Sequence, residues 1–345
     1  MNSIVVKLKQ KIFHPIKMGW YDFQIKCFGA YRFFMKQMKA QEIVMIREYY
    51  HIVPSAEALT PAIVHTCNGF TWSGGLADRL KGIVATFDWC KKNNRRFMIN
   101  FCEPFRLQDY LVPNEYDWSP EEVGYEGRNV LPKICLMEVR TGKYLEKKWN
   151  DIFVKWMDIE TEDPKKQYHI YTNVYLSNCN FANLFNVLFK PCERLQQKIN
   201  YHLGQINGKY ISISFRFTTL LGDFTDCTGK PLPDNEKEKL IQNSLNAVLH
   251  IASIAPFHDK IFVTADSSTF LERVKSLKKV YVIPGKVGHI DYDHDDDVNM
   301  KTFLDFLMIS KAEAVYLAKG PGMYNSAFAK TAALSNNKPF SVYEY

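Results

Sequence analysis

Strand-like and helix-like segments alternate along most of this chain, and this alternation constrains the fold more than any other feature. In the first half we predict strands at four apolar segments: Ala62–Thr66, Phe97–Phe101, Ile134–Glu138 and His169–Val174. Helical periodicity predicts helices over Gly75–Lys92, Lys143–Lys155 and Asn183–Leu203, the last interrupted by Pro191. Such alternation is typical of parallel sheets covered by helices.

The second half repeats the pattern. Its predicted strands are Lys209–Phe215, Lys260–Thr264, Val280–Ile283, Ala314–Ala318 and Phe340–Tyr343. Its predicted helices are Asn235–Ile254, Ser268–Leu277, Val298–Lys311 and Asn325–Leu334. A length of 345 residues with 46% hydrophobic content suits two cores. We therefore predict an α/β protein with an N-terminal helical segment (1–55) and two doubly wound domains (56–200 and 201–345).

A glycine turn separates the first predicted strand from the first predicted helix. The sequence Thr71-Trp72-Ser73-Gly74-Gly75 ends where the apolar helical periodicity begins. A turn that brings backbone close to a ligand, followed by the unpaired N–H groups of a helix start, favours an anion. The alternative is an ordinary strand–helix connection that needs glycine only for its geometry.

Three strand ends in the second half also carry candidate residues. Arg216 follows Ile211–Phe215, and arginine offers a fixed fork of donors that suits phosphate or pyrophosphate. Asp266 follows the second strand of this half, ahead of two serines that are predicted to cap a helix. The third strand end leads through Gly320 and Gly322 to a helix start at Asn325 or Ser326. The alternative for Arg216 is a salt bridge.

Positive charge is concentrated at the N-terminus. Basic residues exceed acidic ones by seven in the whole chain, and residues 1–50 hold nine basic and three acidic side chains. Large aromatic residues crowd the same segment: Phe13, Trp20, Tyr21, Phe23, Phe28, Tyr31, Phe33 and Phe34. This mixture predicts either peripheral contact with an anionic membrane or a packed helical region with solvated lysines. Nucleic acid is not expected as a partner, because the rest of the chain is nearly neutral and no recognition module occurs.

Cysteine usage and hydropathy indicate the compartment. The eight cysteines are scattered without a C-x-x-C pair, which favours a reducing compartment and argues against structural zinc. Neither a signal peptide nor an apolar run of about 18 residues is recognisable. We therefore expect a cytoplasmic protein, with peripheral attachment at the inner face of a membrane as an extension of this prediction.

Four short motifs in order resemble those of GDP-fucose-dependent fucosyltransferases. They are G-G-L-A-D-R-L at 74–80, S-F-R-F at 214–217, V-T-A-D-S at 263–267 and N-S-A-F-A at 325–329. The relevant branch of the GT-B superfamily contains the α-1,6-, xyloglucan, nodulation and protein O-fucosyltransferases. The resemblance covers residues 62 to 340 and implies two facing Rossmann-like domains, with inverting transfer and no essential metal or other cofactor.

The resemblance also implies roles for particular residues. Arg216 matches the arginine that binds the donor pyrophosphate and stabilises the departing GDP. Asp266 matches the acidic position of the second donor motif, so the resemblance implies that it binds the donor. Ser326 and Ala327 match a turn that holds phosphate, after the turn glycine Gly322. Gly74 and Gly75 match the turn that approaches from the acceptor domain.

Two departures from the family pattern affect base recognition. Many members have histidine two residues before the arginine, where this chain has Ser214. The Gly-Asp pair that often follows the arginine closely is displaced here to Gly222-Asp223. Both departures weaken the implied preference for guanine.

The chemistry of glycosyl transfer assigns further roles. Breaking a glycosyl–phosphate bond leaves negative charge on the diphosphate, which Arg216 and the helix-start N–H groups are suited to stabilise. A general base, if one assists the acceptor, should lie at a strand end of the first domain, where Glu103 and Asp78 are candidates. Transfer with weak basic assistance or with none is the alternative. The acidic run 291–297 resembles a metal-binding D-x-D motif, but its position before a helix favours a helix cap instead.

The sequence therefore predicts a fucosyltransferase that acts on a glycan acceptor, such as a surface polysaccharide or glycolipid precursor. Two alternatives stay open: a GT-B transferase that uses another nucleotide sugar, and a non-catalytic glycan- or nucleotide-binding module on the same fold. A dehydrogenase is disfavoured because no G-x-G-x-x-G follows the first strand of either half.

Overall fold

A computed structural model describes residues 29–50, 60–120, 123–125, 130–137, 148–224, 230–288 and 295–345. Two parallel sheets covered by helices form its framework, so the predicted fold class is confirmed. The strands are β1 (Ile63–Cys67), β2 (Phe97–Phe101), β3 (Leu111–Pro113), β4 (Val130–Cys135), β5 (Gln167–Thr172), β6 (Phe189–Pro191), β7 (Tyr210–Phe215), β8 (Lys260–Ala265), β9 (Val280–Tyr281), β10 (Val315–Lys319) and β11 (Phe340–Glu344).

The helices largely follow the predicted alternation. They are α1 (Ala30–Tyr49), α2 (Leu76–Lys92), α3 (Trp149–Glu160), α4 (Phe181–Leu188), α5 (Glu193–Ile206), α6 (Asp234–Ile254), α7 (Ser268–Val274), α8 (Asp296–Lys311) and α9 (Ala327–Leu334). The first sheet has the order β2-β1-β5-β4 and the second the order β11-β10-β7-β8-β9. All neighbours within these two sheets are parallel.

The predicted helix Lys143–Lys155 is observed as α3, Trp149–Glu160, and residues 143–147 lie outside the described residues. Two other predicted elements also differ from the observed ones. The predicted helix Asn183–Leu203 is divided into α4 and α5 by β6, which pairs antiparallel with β3. Pro191 lacks the N–H group that a continuous helix needs, so the chain extends there instead. The predicted strand Ile134–Glu138 is observed earlier, as β4, with Pro132 inside it. Proline is tolerated because β4 is an edge strand.

A glycine allows helix α2 to lie directly on the backbone of the first sheet. A Cβ atom added at Gly82 would clash with the carbonyl oxygen of Thr172, at the end of β5. The same atom would lie 3.0 Å from the buried ring of His65 on β1. Only glycine fits, and the helix that follows the Gly74-Gly75 turn is thereby held close to the sheet.

One tyrosine connects the region beside the first sheet to the helices beside the second. The ring of Tyr110 stacks on that of Phe303 in α8, with centroids 4.6 Å apart and planes 7° from parallel. Its hydroxyl donates to Asp296 at 2.7 Å, and Arg194 of α5 donates to both oxygens of the same carboxylate. Hydrogen bonds from Arg194 lower the pKa of Asp296, so this carboxylate is stabilised in its charged form.

Helix α1 packs against the first sheet. Phe33, Phe34, Met38, Met45 and Tyr50 are buried, and the Phe34 ring meets Trp149 edge-on at 5.1 Å. Of the two predictions for the basic aromatic segment, packing is therefore the one observed in residues 29–50. Residues 1–28 lie outside the described residues. In the described part of the chain, no helix combines the length and apolar character that a membrane crossing requires.

A buried carboxylate attaches α1 to the edge strand β4 of the first sheet. Glu42 accepts a hydrogen bond from the backbone N–H of Ile134 on the edge strand β4, at 2.9 Å. Lys39 binds both Glu42 and Glu160, and Lys133 of β4 also binds Glu160. An edge strand presents unpaired backbone donors, and Glu42 satisfies one of them.

Replacing Glu42 tests the importance of this attachment. We expect Glu42→Ala to lower the free energy of unfolding by about 2 kcal/mol, because it leaves a buried N–H group without an acceptor. The matched control is Glu48→Ala, on the exposed face of the same helix, which should cost less than about 0.5 kcal/mol. Urea denaturation followed by circular dichroism measures both values, and equal midpoints would contradict the proposed attachment.

Candidate active site

Three of the predicted motifs meet at the carboxyl edge of the second sheet. Arg216 follows β7, Asp266 follows β8, and the turn from Gly320 to Ser326 follows β10. These strands are neighbours, in the order β10-β7-β8. Ligands of open parallel sheets bind outside the carboxyl ends of the strands, so the three motifs share the place where a ligand is expected.

Asp266 holds this edge together. One carboxylate oxygen accepts the N–H of Phe217 at 2.7 Å, and the other accepts the N–H of Thr218 at 2.8 Å. The second oxygen also pairs with Nη1 of Arg216 at 3.2 Å. Thr218 has a left-handed backbone with φ of 55°, a conformation that the two hydrogen bonds help to maintain. Asp266 therefore fixes the turn that carries Arg216.

The electrostatics of Asp266 reflect its burial. Burial raises the pKa of its carboxyl group, and the charge of Arg216 together with the two backbone donors opposes this effect. Because the charge of Asp266 needs those partners, the aspartate and the arginine form one structural unit.

Arg216 retains access to the surface. Its side chain is 21% exposed, whereas that of Asp266 is 4% exposed. The guanidinium carbon lies 4.7 Å from the centroid of the Phe224 ring, which is within cation–π distance. Held by an aspartate and an aromatic ring, the guanidinium is positioned before any ligand arrives.

The turn after β10 borders Arg216 and begins a helix. The N–H of Tyr324 donates to the carbonyl oxygen of Arg216 at 3.1 Å. Gly322 has φ of 75°, a left-handed conformation that favours glycine. Ser326 caps α9 by accepting the N–H of Phe328 at 3.2 Å, and Ala327 is the first helical residue. The turn that leads into α9 is thus joined to the backbone of Arg216, and a helix start of this kind favours an anion.

Two residues that differ from the family pattern have structural partners. Ser214 is buried, and its hydroxyl pairs with that of Thr264 on β8 at 2.8 Å. Asp223 accepts hydrogen bonds from the hydroxyl of Ser267 at 2.9 Å and the N–H of Thr269 at 2.8 Å. Asp223 therefore satisfies donors at the start of α7.

The remaining predicted residues lie at the carboxyl edge of the first sheet. Gly74 has φ of 78°, and a Cβ atom there would lie 2.7 Å from the carboxylate of Asp78. Gly75 is the N-cap of α2. Asp78 also pairs with Lys81 at 2.6 Å, so it contributes to the shape of the turn. Helix α2 packs against α9, and the two helices that begin at glycine turns are therefore neighbours.

Glu103 is an exposed carboxylate at the same edge. It follows β2, and its backbone N–H donates to the carbonyl oxygen of Cys67 at the end of β1, 3.2 Å away. A Cβ atom added at Gly69 would lie 3.5 Å from Cγ of Glu103. The side chain therefore borders the loop between β1 and α2.

The acidic run before α8 contains a helix cap. Asp295 accepts the N–H of Asp297 at 3.0 Å and is the N-cap of α8, while Asp296 binds Arg194 and Tyr110. Residues 289–294 lie outside the described residues. Among the residues that are described, no three His, Cys, Asp or Glu side chains are grouped as metal ligands would be.

The sequence prediction missed the partners that position these residues. The left-handed turn at Thr218 and the aromatic contact of Phe224 carry no sequence signal of their own. A polar cluster around Asn68 and Asn100 at the first sheet was also missed. The asparagine within the apolar strand sequence Phe-Met-Ile-Asn-Phe (97–101) is a sequence signal for it, since a polar residue near a strand end often serves a ligand.

The fold is shared with known fucosyltransferases. The NodZ α-1,6-fucosyltransferase structure soaked with GDP-fucose superposes with a TM-score of 0.50 at 13% sequence identity, covering 80% of this chain and 92% of the other. A mutant of Arabidopsis thaliana FUT1 in complex with GDP superposes with a TM-score of 0.52 at 12% identity, covering 94% of this chain and 78% of the other. No protein-family model and no curated protein matches the sequence. At these identities the likeness establishes the fold.

Replacing Asp266 by asparagine tests the two hydrogen bonds and the ion pair that Asp266 makes around Arg216. Asparagine has one oxygen, so one backbone N–H would face its amide group and the ion pair would be lost. We expect Asp266→Asn to lower the free energy of unfolding by about 3 kcal/mol in urea denaturation. Asp234→Asn is the control, because Asp234 is fully exposed and pairs with Lys237 at the surface. Unfolding of both variants at the same urea concentration would contradict a stabilising role for the contacts of Asp266.

Proposed function

We propose that this protein is a glycosyltransferase that moves fucose from GDP-fucose to a hydroxyl group of a glycan. The observation that carries the proposal is the unit of Arg216 and Asp266 beside the start of α9, at the carboxyl edge of the second sheet. NodZ and FUT1 share the fold and have been crystallised with GDP-fucose or GDP, which supports the same ligand class here.

In the proposed reaction the acceptor hydroxyl attacks the sugar carbon bonded to the diphosphate, from the face opposite the leaving group. A carbon–oxygen bond forms to the acceptor, the bond to the diphosphate breaks, and GDP leaves with the electron pair. Arg216 and the N–H groups at the start of α9 stabilise the charge that develops on the diphosphate. Because these groups supply positive charge, the proposal includes transfer without an essential metal.

A general base accepts the proton of the acceptor hydroxyl. We propose Glu103 for this role because it is exposed at the carboxyl edge of the first sheet. Asp78 is the weaker candidate, since its carboxylate pairs with Lys81 and packs beside Gly74. Gly74 and Gly75 then form the acceptor-side wall of the cleft, and the packing of α2 on α9 supports this arrangement.

The domain division 1–55, 56–200 and 201–345 belongs to the proposal. The first sheet lies within residues 63–172 and the second within 210–344, in accord with an acceptor side and a donor side. A cytoplasmic location and a surface polysaccharide or glycolipid precursor as acceptor are also proposed. Membrane contact is proposed for residues 1–28, which carry five basic side chains and one acidic side chain.

The identity of the base in the donor nucleotide is the part of the proposal for which an alternative exists. Ser214 and Asp223, at positions where the family pattern implies base recognition, are both engaged within the protein. A transferase for another nucleotide sugar is therefore the second candidate. Titration calorimetry with GDP, GDP-fucose and a panel of other sugar nucleotides, with and without magnesium, separates the two. Absence of binding to GDP and GDP-fucose would refute the main proposal.

Substitution of Arg216 tests the catalytic role. We expect Arg216→Lys to lower kcat for transfer or hydrolysis of GDP-fucose by about 10²- to 10³-fold, because lysine lacks the planar fork that binds a diphosphate. Arg273→Lys is the control, since Arg273 is a surface residue that pairs with Glu238. A binding module without catalysis would show no turnover in any of these proteins, including the unmodified one.

Substitution of Ser326 tests the turn at the start of α9. We expect Ser326→Ala to weaken GDP binding about tenfold in titration calorimetry, through loss of one hydrogen bond to phosphate and a less ordered helix start. Asn180→Ala removes the comparable cap of α4, away from the second sheet edge. It should lower stability to a similar degree and leave GDP affinity unchanged. Equal GDP affinities for the two variants would exclude Ser326 from the donor site.

A further inference from the structure

A continuous chain of polar side chains runs through the interior of the first half to the carboxyl edge of its sheet. Its members, in order of contact, are Gln167, His169, Tyr50, Tyr171, Asn68, Tyr125 and Asn100. The proposed reaction assigns no role to this chain. Backbone groups fix the orientation of Gln167 and of Asn68, so the direction of each hydrogen bond between these two residues follows.

The inner end is fixed by a carbonyl group. The side-chain N–H of Gln167 donates to the carbonyl oxygen of Thr60 at 3.1 Å, which turns the Gln167 oxygen toward His169. Burial lowers the pKa of His169 to about 3, so its ring is neutral and carries one proton. That proton lies on Nε2 and is donated to Gln167 at 2.9 Å. Nδ1 is then an acceptor, and the Tyr50 hydroxyl donates to it at 2.8 Å.

The outer end is fixed by a backbone N–H group. Phe70 donates its N–H to the side-chain oxygen of Asn68 at 3.3 Å, which turns the Asn68 amide nitrogen toward two tyrosines. This nitrogen donates to the hydroxyl of Tyr171 at 3.2 Å and to that of Tyr125 at 3.4 Å. Tyr171 therefore donates its own proton to Tyr50, 2.9 Å away. Both fixed ends give the same direction.

Tyr125 is the hydroxyl at which this chain ends. Its oxygen accepts from Asn68 and, at 3.2 Å, from the side-chain nitrogen of Asn100. With both contacts donating to it, the Tyr125 proton is directed elsewhere, and the described residues offer it no acceptor. Asn68 directly follows β1, and Asn100 lies one residue before the end of β2. The hydroxyl is therefore a donor presented at the edge where ligands of parallel sheets bind.

An exposed aromatic residue lies in the loop that also carries Asn68. Trp72 is 69% exposed, two residues after Phe70, whose ring centroid lies 5.9 Å from that of Tyr125. Two residues span at most about 7 Å, so the backbone of Trp72 lies within that distance of Phe70, on the loop that borders Tyr125. A large exposed aromatic ring beside a fixed hydroxyl donor suits a ligand with one apolar face and several hydroxyl groups, which describes a sugar.

We propose that the Tyr125 hydroxyl donates a hydrogen bond to an oxygen of the acceptor sugar, while Trp72 covers an apolar face of the same sugar. The assignment rests on the proposed transferase function and names residues of its acceptor site. Tyr125 binds and orients the acceptor, and Asn68 and Asn100 position Tyr125. The buried remainder of the chain keeps the Tyr125 proton directed outward.

The test uses methyl glycosides of glucose, galactose, mannose and N-acetylglucosamine and their disaccharides as acceptors, at saturating GDP-fucose. For the sugars that the unmodified protein uses, Tyr125→Phe should raise KM roughly three- to tenfold. The KM for GDP-fucose and its slow hydrolysis by water should stay within about twofold, since the donor site is untouched. Tyr201→Phe, an exposed tyrosine on α5, is the matched control. Equal sugar KM values for the two variants would overturn the proposal.

Two further measurements do not depend on turnover. Saturation-transfer NMR with the same glycosides should show contact with the unmodified protein and weaker contact with Tyr125→Phe and with Asn100→Asp. The aspartate accepts the Tyr125 proton and withdraws it from the ligand. Nitrogen-15 NMR should place the His169 proton on Nε2. A proton on Nδ1, or no sugar contact with the unmodified protein, would overturn the assignment.

These outcomes separate the inference from the function on which it rests. Sugar contact that depends on Tyr125, in a protein that binds neither GDP nor GDP-fucose, would refute the transferase proposal and leave the sugar site standing. Donor binding and hydrolysis, together with sugar affinities that Tyr125→Phe leaves unchanged, would refute the sugar site and leave the transferase proposal standing.

Discussion

The carboxylate of Asp266 joins two neighbouring strand ends that would otherwise be independent. It lies after β8, yet it binds the backbone of the turn after β7 and the guanidinium of Arg216. The turn after β10 in turn donates to the carbonyl oxygen of Arg216. The ends of β7 and β8 therefore depend on one buried acid, and the guanidinium of Arg216 is positioned before a ligand binds. Donors that are preorganised in this way are suited to stabilise negative charge.

Sequence reasoning recovered the strand ends because periodicity and parallel topology determine them. Alternating elements implied parallel sheets, and parallel sheets bring Arg216, Asp266 and the Ser326 turn to one edge. What it could not supply was the set of contacts that each side chain makes. Asp266 was expected to bind the donor, whereas its oxygens are directed at Phe217, Thr218 and Arg216. Side-chain direction depends on the local turn, which the strand pattern does not encode.

The predicted element boundaries differ from the observed ones where a proline or a tertiary contact determines them. Pro191 was recognised as an interruption, but the strand that replaces the helix there exists only because β3 lies alongside. Residues 1–50 have two interpretations by composition, and for residues 29–50 the burial of Phe34 and Met38 favours packing. The polar chain from Gln167 to Asn100 spans residues that are far apart in sequence, so no local pattern could have indicated it. Its direction follows from two backbone groups, which are visible only in three dimensions.

The side chain of Tyr110 uses both its face and its tip, and this has a mechanical consequence. Its ring stacks flat on that of Phe303, and this contact opposes tilting of the two rings. Its hydroxyl is hydrogen-bonded to Asp296, and this bond opposes rotation of the Tyr110 ring within its own plane. With only one of these two contacts, the ring could still rotate or tilt relative to α8. Together they restrain the position of Tyr110 relative to α8 more than either contact would alone. The packing of α2 on α9 joins the two halves at a second place, so any opening of a cleft between them would have to change both contacts.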